Sequence, residues 1–291
     1  MKSKGNLRLI LGVTLLMVLL PLTLVSCAGE QGPAGPAGAT GAQGAAGAAP
    51  SEAQLLNLVT QVVQGPKASA ADIAHGARLY DKWSKEAGIA DPTGNQALWA
   101  LQTTNTRTGA DTFRCKECHG WDYKGKGGAY SKGSHYTGFV GVYDAGMTKS
   151  KAQLLTILKG STDYRHDFSK VLDAKAQADL AAFLSEGLIN DVQYIDYATK
   201  KPIAADAVRG KTRYDSTCAA CHGADGKQIN FGSATAPEYL GTVAADNPWE
   251  TLHKIRFGQP GTAAMPSATS LGWSLQDALD VLAHAQTLPQ K

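Results

Sequence analysis

The chain carries little excess charge, few long apolar runs and few cysteines. Its 28 Lys and Arg stand against 25 Asp and Glu, a formal charge of +3 over 291 residues. Lys2, Lys4 and Arg8 account for that excess, and all three lie in a segment with the form of a cleaved leader, so the rest of the chain is near neutral. No Lys/Arg cluster accompanies a recognisable nucleic-acid motif, and no nucleic-acid partner is expected. The apolar run is confined to residues 9–25, and the 43% hydrophobic content suits globular cores rather than several membrane spans. Only five cysteines occur, Cys27, Cys115, Cys118, Cys218 and Cys221, and every one falls within a motif. None is left to form a disulfide, even in an exported protein.

The first 26 residues follow the order of a secretory signal, with basic residues, an apolar stretch and a processing site. Leu24-Val25-Ser26-Cys27 resembles a bacterial lipobox, which makes Cys27 the expected lipidation site and acyl chains the expected membrane anchor. An uncleaved membrane helix or an ordinary cleaved signal are the alternatives. From Gly29 to Gly47 glycine recurs at every third position, with Pro33 and Pro36 among the fillers. This is the collagen pattern, and it would span roughly 60 Å at the polyproline rise of about 3.1 Å per residue. Ser51-Glu52-Ala53-Gln54 can form a capping box for a helix to about Gln64, in which Leu55, Leu58 and Val62 have coiled-coil spacing. The stem therefore suits either a homotrimer or a monomeric tether.

Two motifs carry the chemistry: Cys115-Lys116-Glu117-Cys118-His119 and Cys218-Ala219-Ala220-Cys221-His222. Cys-x-x-Cys-His supplies two thiols for thioether bonds to the vinyl groups of one haem and an adjacent imidazole for its iron. A zinc site is the competing use of paired cysteines, but about 100 residues separate the pairs, well beyond compact zinc spacings. Neither motif lies in the βαβ context of a thioredoxin-like dithiol.

The sequence after residue 66 divides into two related halves. Gly76-Ala77-Arg78-Leu79-Tyr80 parallels Gly210-Lys211-Thr212-Arg213-Tyr214, Lys151 to Lys159 parallels Glu250 to Phe257 of a helix expected from about Pro248, and Ala176 to Leu184 parallels Gln276 to His284 of a last helix expected from Ser274 to about Leu288. The first half carries an insertion: Tyr214 precedes its motif cysteine by four residues and Tyr80 by 35. Residues 84–112, including Trp99, are expected to fold over the first site.

Both halves resemble class I cytochrome c domains, and together they resemble dihaem cytochromes c. The resemblance implies an all-α protein of two tandem domains, each wrapped around one covalently bound haem. The implied organisation is a signal peptide at 1–26, acylated cysteine and Gly-x-y linker at 27–50, a short amphipathic helix at 51–66, and domains at 67–195 and 196–291. It also implies a loop methionine as sixth ligand, and Met265, after the loop from Gly258, matches that position opposite His222. The first half has no methionine there; its Gly160 loop offers His166, six residues on where Met265 is seven, so His119/His166 ligation is expected. Met147 and His135 are the alternatives. Trp121 and Tyr123 are expected in the haem-pocket wall, His75, His253 and His284 as packing or surface residues, and Arg165 and Arg256 as either propionate partners or solvated cations. With both irons six-coordinate, the expected role is electron transfer between a redox donor and acceptor at a bacterial envelope surface rather than catalysis. A dihaem oxidoreductase similar to peroxidases or thiosulfate dehydrogenases, or a cytochrome subunit of a larger complex, is the alternative.

Overall fold

The computed structural model describes residues 51, 52, 55 and 66–291. The leader, Cys27, the Gly-x-y stem and nearly all of the helix expected at 51–66 lie outside the described residues. In the first half the helices are α1 (Ala70–Glu86), α2 (Cys115–His119), α3 (Tyr143–Thr148), α4 (Lys151–Leu158) and α5 (Ala174–Ala182). The second half has α6 (Ala207–Thr217), α7 (Ala219–His222), α8 (Leu240–Asp246), α9 (Pro248–Phe257), α10 (Ala268–Leu271) and α11 (Leu275–Ala285). Between them a two-residue antiparallel pair, β1 (Ile195–Asp196) and β2 (Lys201–Pro202), is a small departure from an all-α chain.

Local chemistry sets the helix boundaries. The Ser69 hydroxyl accepts the Asp72 N–H at 3.1 Å to open α1, and the Asp206 carboxylate accepts from Val208 and Arg209 at 2.8 and 3.1 Å to open α6. Each oxygen satisfies N–H groups that the first helical turn leaves free. Pro248 begins α9 behind an Asn247 cap, where its fixed φ suits a first helical position.

The two halves repeat their contacts as well as their element order. α1 crosses α5 so closely at Gly76 that a Cβ there would stand 2.0 Å from the Asp179 carbonyl oxygen; α6 crosses α11 at Gly210, where the same atom would stand 1.9 Å from that of Asp280. The Tyr80 hydroxyl donates to the Gly120 carbonyl at 2.6 Å, and that of Tyr214 to the Gly223 carbonyl at 2.7 Å, so in each half the first helix holds the residue after the motif histidine.

The cores interlock. Phe257 of α9 belongs to the cluster built on Leu79, Tyr80, Leu180 and Phe183, while Trp121 and Tyr130 belong to the cluster of Trp249, Leu252, Leu279 and Leu282. His253 is 1% exposed and joins them. Its Nε2 donates to the Ala77 carbonyl at 3.0 Å, so Nδ1 is the acceptor from the Tyr123 hydroxyl at 2.9 Å. Trp121 and Tyr123 therefore serve this junction, with the Trp121 ring 5.0 Å from that of His253, and are not among the residues that line the cleft described below. Both were expected in a pocket wall, but residues two and four beyond His119 are turned away from it by the turn at Gly120.

Burial pushes the His253 imidazole down to about 3, with Lys254 and Arg256 adding to the effect and Asp81 opposing it. The unfolded chain takes up this proton at about 6.5 and the folded protein does not, so stability falls as pH drops through that window. The loss is about 1.4 kcal/mol per pH unit. His253→Gln can keep both hydrogen bonds without the titration. In urea unfolding, the variant should lose roughly 2–3 kcal/mol less than wild type between pH 7 and 4.5; equal losses would contradict this origin of acid lability.

Candidate haem-binding site

The first motif occupies α2, which Gly120 ends at a φ of +77°, a conformation open to glycine. The His119 Nδ1 lies 2.7 Å from the Val140 carbonyl oxygen. A carbonyl only accepts, so Nδ1 carries the proton and Nε2 is left as the lone-pair nitrogen. Burial holds this imidazole down to about 4, which keeps it neutral, the form a metal ligand needs.

His166 comes from the loop after α4, in the short helical turn Tyr164–His166. The Asp163 carboxylate accepts the Arg165 N–H at 2.9 Å to open this turn, and Gln96 of the insertion donates to the Arg165 carbonyl at 2.9 Å. The ring centres of His119 and His166 are 6.2 Å apart, with Phe168 edge-on to His166 at 4.9 Å. Two imidazoles on opposite sides of one metal, each with a metal–nitrogen bond of about 2 Å, have ring centres roughly 6 Å apart.

Cys115, Cys118, His119 and His166 line one cleft, partly open to solvent. Phe113, Phe139 and Phe168 supply its apolar walls, and Gln96, Leu98 and Thr112 of the insertion close one side. Trp99 is buried within the insertion, donating to the Arg107 carbonyl at 3.0 Å. Of the three candidates for the second ligand only His166 lines the cleft. Met147 is half exposed on α3, and His135 stacks on Tyr130 at 4.4 Å, beside Glu117.

Burial raises the Cys115 and Cys118 thiols to about 12, so neither is the low-pKa thiolate of a redox dithiol. Among the described residues, no three of His, Cys, Asp or Glu converge as a set of metal donors. A cleft with two facing imidazoles and two thiols on one wall fits a metal whose other ligands come from a macrocycle attached through those thiols. Arg165 is engaged with the Asp163 carboxylate at 2.9 and 2.7 Å, and Arg256 donates to the Gly187 carbonyl at 2.8 Å. Both thus have protein partners.

The second motif is more open. Cys218 caps α7, Cys221 is exposed, His222 is half buried, and Gly223 turns the chain at a φ of +84°. The His222 ring faces Phe231 at 6.1 Å, and exposed Ile229 and Phe231 leave apolar surface beside the motif. The buried His222 Nδ1 has no hydrogen-bond partner, in contrast to His119. Burial raises the Cys218 thiol to about 11. Met265 stands on a separate element, half buried in the loop that follows α9, with its N–H donating to the Thr262 carbonyl at 3.2 Å. Paired thiols beside an imidazole and uncovered apolar side chains suit a bound apolar macrocycle here as well.

Residues 205–284 match the family model described as cytochrome C oxidase, cbb3-type, subunit III. This segment is a c-type cytochrome domain. The match spans α7 with Cys218, Cys221 and His222 and the loop with Met265, so covalently bound haem c and electron transfer are the chemistry of this part of the chain. No curated protein matches the chain. No helix among the described residues is long and apolar enough to cross a membrane. Sequence alone gave no sign of two contributors to the cytochrome's neighbouring cleft: the Val140 carbonyl, a backbone atom 21 residues beyond His119, and the Gln96 side chain, which meets the His166 turn only in three dimensions.

Proposed function

We propose that the protein is a dihaem electron carrier of the bacterial envelope, with two tandem cytochrome c domains. Cys115 and Cys118 would hold one haem, with His119 and His166 as iron ligands; Cys218 and Cys221 would hold the other, with His222 and Met265. The observation that carries this reading is the cleft in which both thiols of the first motif meet two imidazoles whose ring centres are 6.2 Å apart. Haem iron supplies reversible one-electron chemistry when bound. The chain's own part is to fix the ligands and set their strength. The Val140 carbonyl orients His119 and makes it a stronger donor, whereas the His222 Nδ1 has no such partner. The insertion narrows access of water to His166 through Gln96 and Leu98.

Both ligand identity and the hydrogen bond at His119 favour the ferric state at the first site, and a thioether favours the ferrous state at the second. Electrons would then pass from the first half to the second. Cys27 would anchor the protein by its lipid, and the Gly-x-y stem would hold it away from the membrane toward a redox donor and acceptor. Low-temperature electron paramagnetic resonance with near-infrared magnetic circular dichroism tests the ligation. One bis-histidine and one histidine/methionine low-spin haem are expected, and a stoichiometric high-spin signal would replace the carrier with an enzyme.

A further inference from the structure

The loop that bears Met265 is braced by the opposite half of the molecule. Glu86, the last residue of α1, has a side chain only 8% exposed although it ends a helix. Its Oε1 accepts from Arg78 Nε at 2.7 Å, with His75 Nε2 at 3.8 Å, and its Oε2 accepts the backbone N–H of Gly261 at 2.9 Å. Arg78 also donates to the Phe257 carbonyl at 3.0 Å, where α9 gives way to the loop. Lys254 forms a third pin, donating to Asp81 of α1 at 2.7 Å and to Gln259 of the loop at 2.6 Å.

The approach is too close for a side chain. Gly261 has a φ of +62°, and a Cβ there would lie 2.9 Å from the Lys85 carbonyl oxygen. Within the loop, Thr262 donates to the Gln259 carbonyl and Met265 to the Thr262 carbonyl, both at 3.2 Å. The Gly261 anchor is thus four residues from Met265 and directly adjoins the turn that carries it.

We infer that Glu86 is a positioning residue for Met265: its carboxylate holds the tip of the methionine loop against α1 and so keeps the thioether on the iron of the other half. The inference rests on the reading of Met265 as the second haem's ligand. A loop free of this anchor has more conformations in which Met265 is displaced, and the iron then becomes accessible to competing ligands. α1 also holds Gly120 of the first motif through Tyr80, so one helix braces parts of both sites.

The test compares the haem-loaded wild type with Glu86→Ala and Glu86→Gln. The readouts are the near-infrared methionine-to-ferric-iron charge-transfer band and the affinity of the second iron for added imidazole. Glu86→Ala should weaken the band and bind imidazole roughly tenfold more tightly, the equivalent of about 1.4 kcal/mol. The His119/His166 signal should be unchanged and serves as an internal control. Glu86→Gln retains an oxygen acceptor for Gly261 and should stay close to wild type. An intact band with imidazole affinity within about twofold of wild type in Glu86→Ala would overturn the role of Glu86 alone. Absence of the band from wild type would overturn the ligand reading and the inference with it. Hydrogen exchange on the intact wild-type protein tests the contact without a variant: the Gly261 N–H should be protected, and free exchange would refute the anchor.

Discussion

Gly210→Val should cost the protein the haem of its cytochrome domain, and should lower the melting temperature by roughly 10 °C or more. The position is a crossing of backbones, not a turn. A Cβ on Gly210 would lie 1.9 Å from the Asp280 carbonyl oxygen, 2.4 Å from its carbon and 2.9 Å from the Val281 nitrogen. None of these atoms can swing aside as a side chain would, so α6 and α11 must separate. Separation also breaks the bonds that tie Asp280 to α6, from the Asp206 N–H and from Arg209 Nε, both at 2.8 Å. Overpacking commonly costs 1–3 kcal/mol where side chains can adjust, and an obstruction by backbone should cost at least about 3 kcal/mol. Tyr214, which fixes the residue after His222, sits one turn further along α6 and would shift with it. Val208→Ala is the control on the same helix: Val208 is 78% exposed, and the change should stay within about 0.5 kcal/mol. The measurements are the haem-to-protein ratio by pyridine haemochrome and thermal melting by circular dichroism. A Gly210→Val protein with wild-type haem content and an unchanged melting temperature would show that the crossing does not constrain the fold. Gly76→Val should damage the first half in the same way, against the Asp179 carbonyl.

These two glycines mark the boundary of what the sequence reveals. Their alignment with Tyr80 and Tyr214 exposed a repeat, because Gly-x-x-x-Tyr recurs at matching places before each motif. The reason for glycine was not legible, since it depends on a carbonyl about 70 or more residues away. Helix positions were legible where the signal is local: α9 occupies Pro248–Phe257 because a capping Asn, a proline at the first position and a terminal Gly258 all agree. A packing role for His253 was anticipated, but its partnership with Trp121 and Tyr123 was not. The contact between Tyr123 and His253 spans 130 residues of sequence, and nothing in either neighbourhood marks the pair. Cys-x-x-Cys-His is itself a local signal and named its residues directly. His166 was reachable through the repeat register, whereas the support it receives from Gln96 lay within an insertion that has no counterpart to align.

On the proposed ligation, replacing His166 with methionine should change the character of the first haem and leave the second alone. The His166 turn is fixed from three directions, by the Asp163 cap, by the bond from Gln96 to the Arg165 carbonyl and by Phe168 against the ring. Burial lowers the basicity of this imidazole and keeps it neutral and available as a donor. Methionine is unbranched and flexible, so a thioether can occupy the same cleft without moving that turn. Exchange of imidazole for thioether stabilises ferrous iron. The midpoint of the first haem should therefore rise by on the order of 0.1 V, a modest part of the range of about 0.8 V that axial ligands command. The bis-histidine resonance should give way to a second histidine/methionine signal, and the second haem's midpoint should hold. His119 keeps its hydrogen bond to the Val140 carbonyl in the variant, so the two sites should become similar without becoming equal: the first should remain the lower in potential. If the resonance and both midpoints are unchanged, another side chain ligates the first iron, and the proposed gradient between the halves loses its basis.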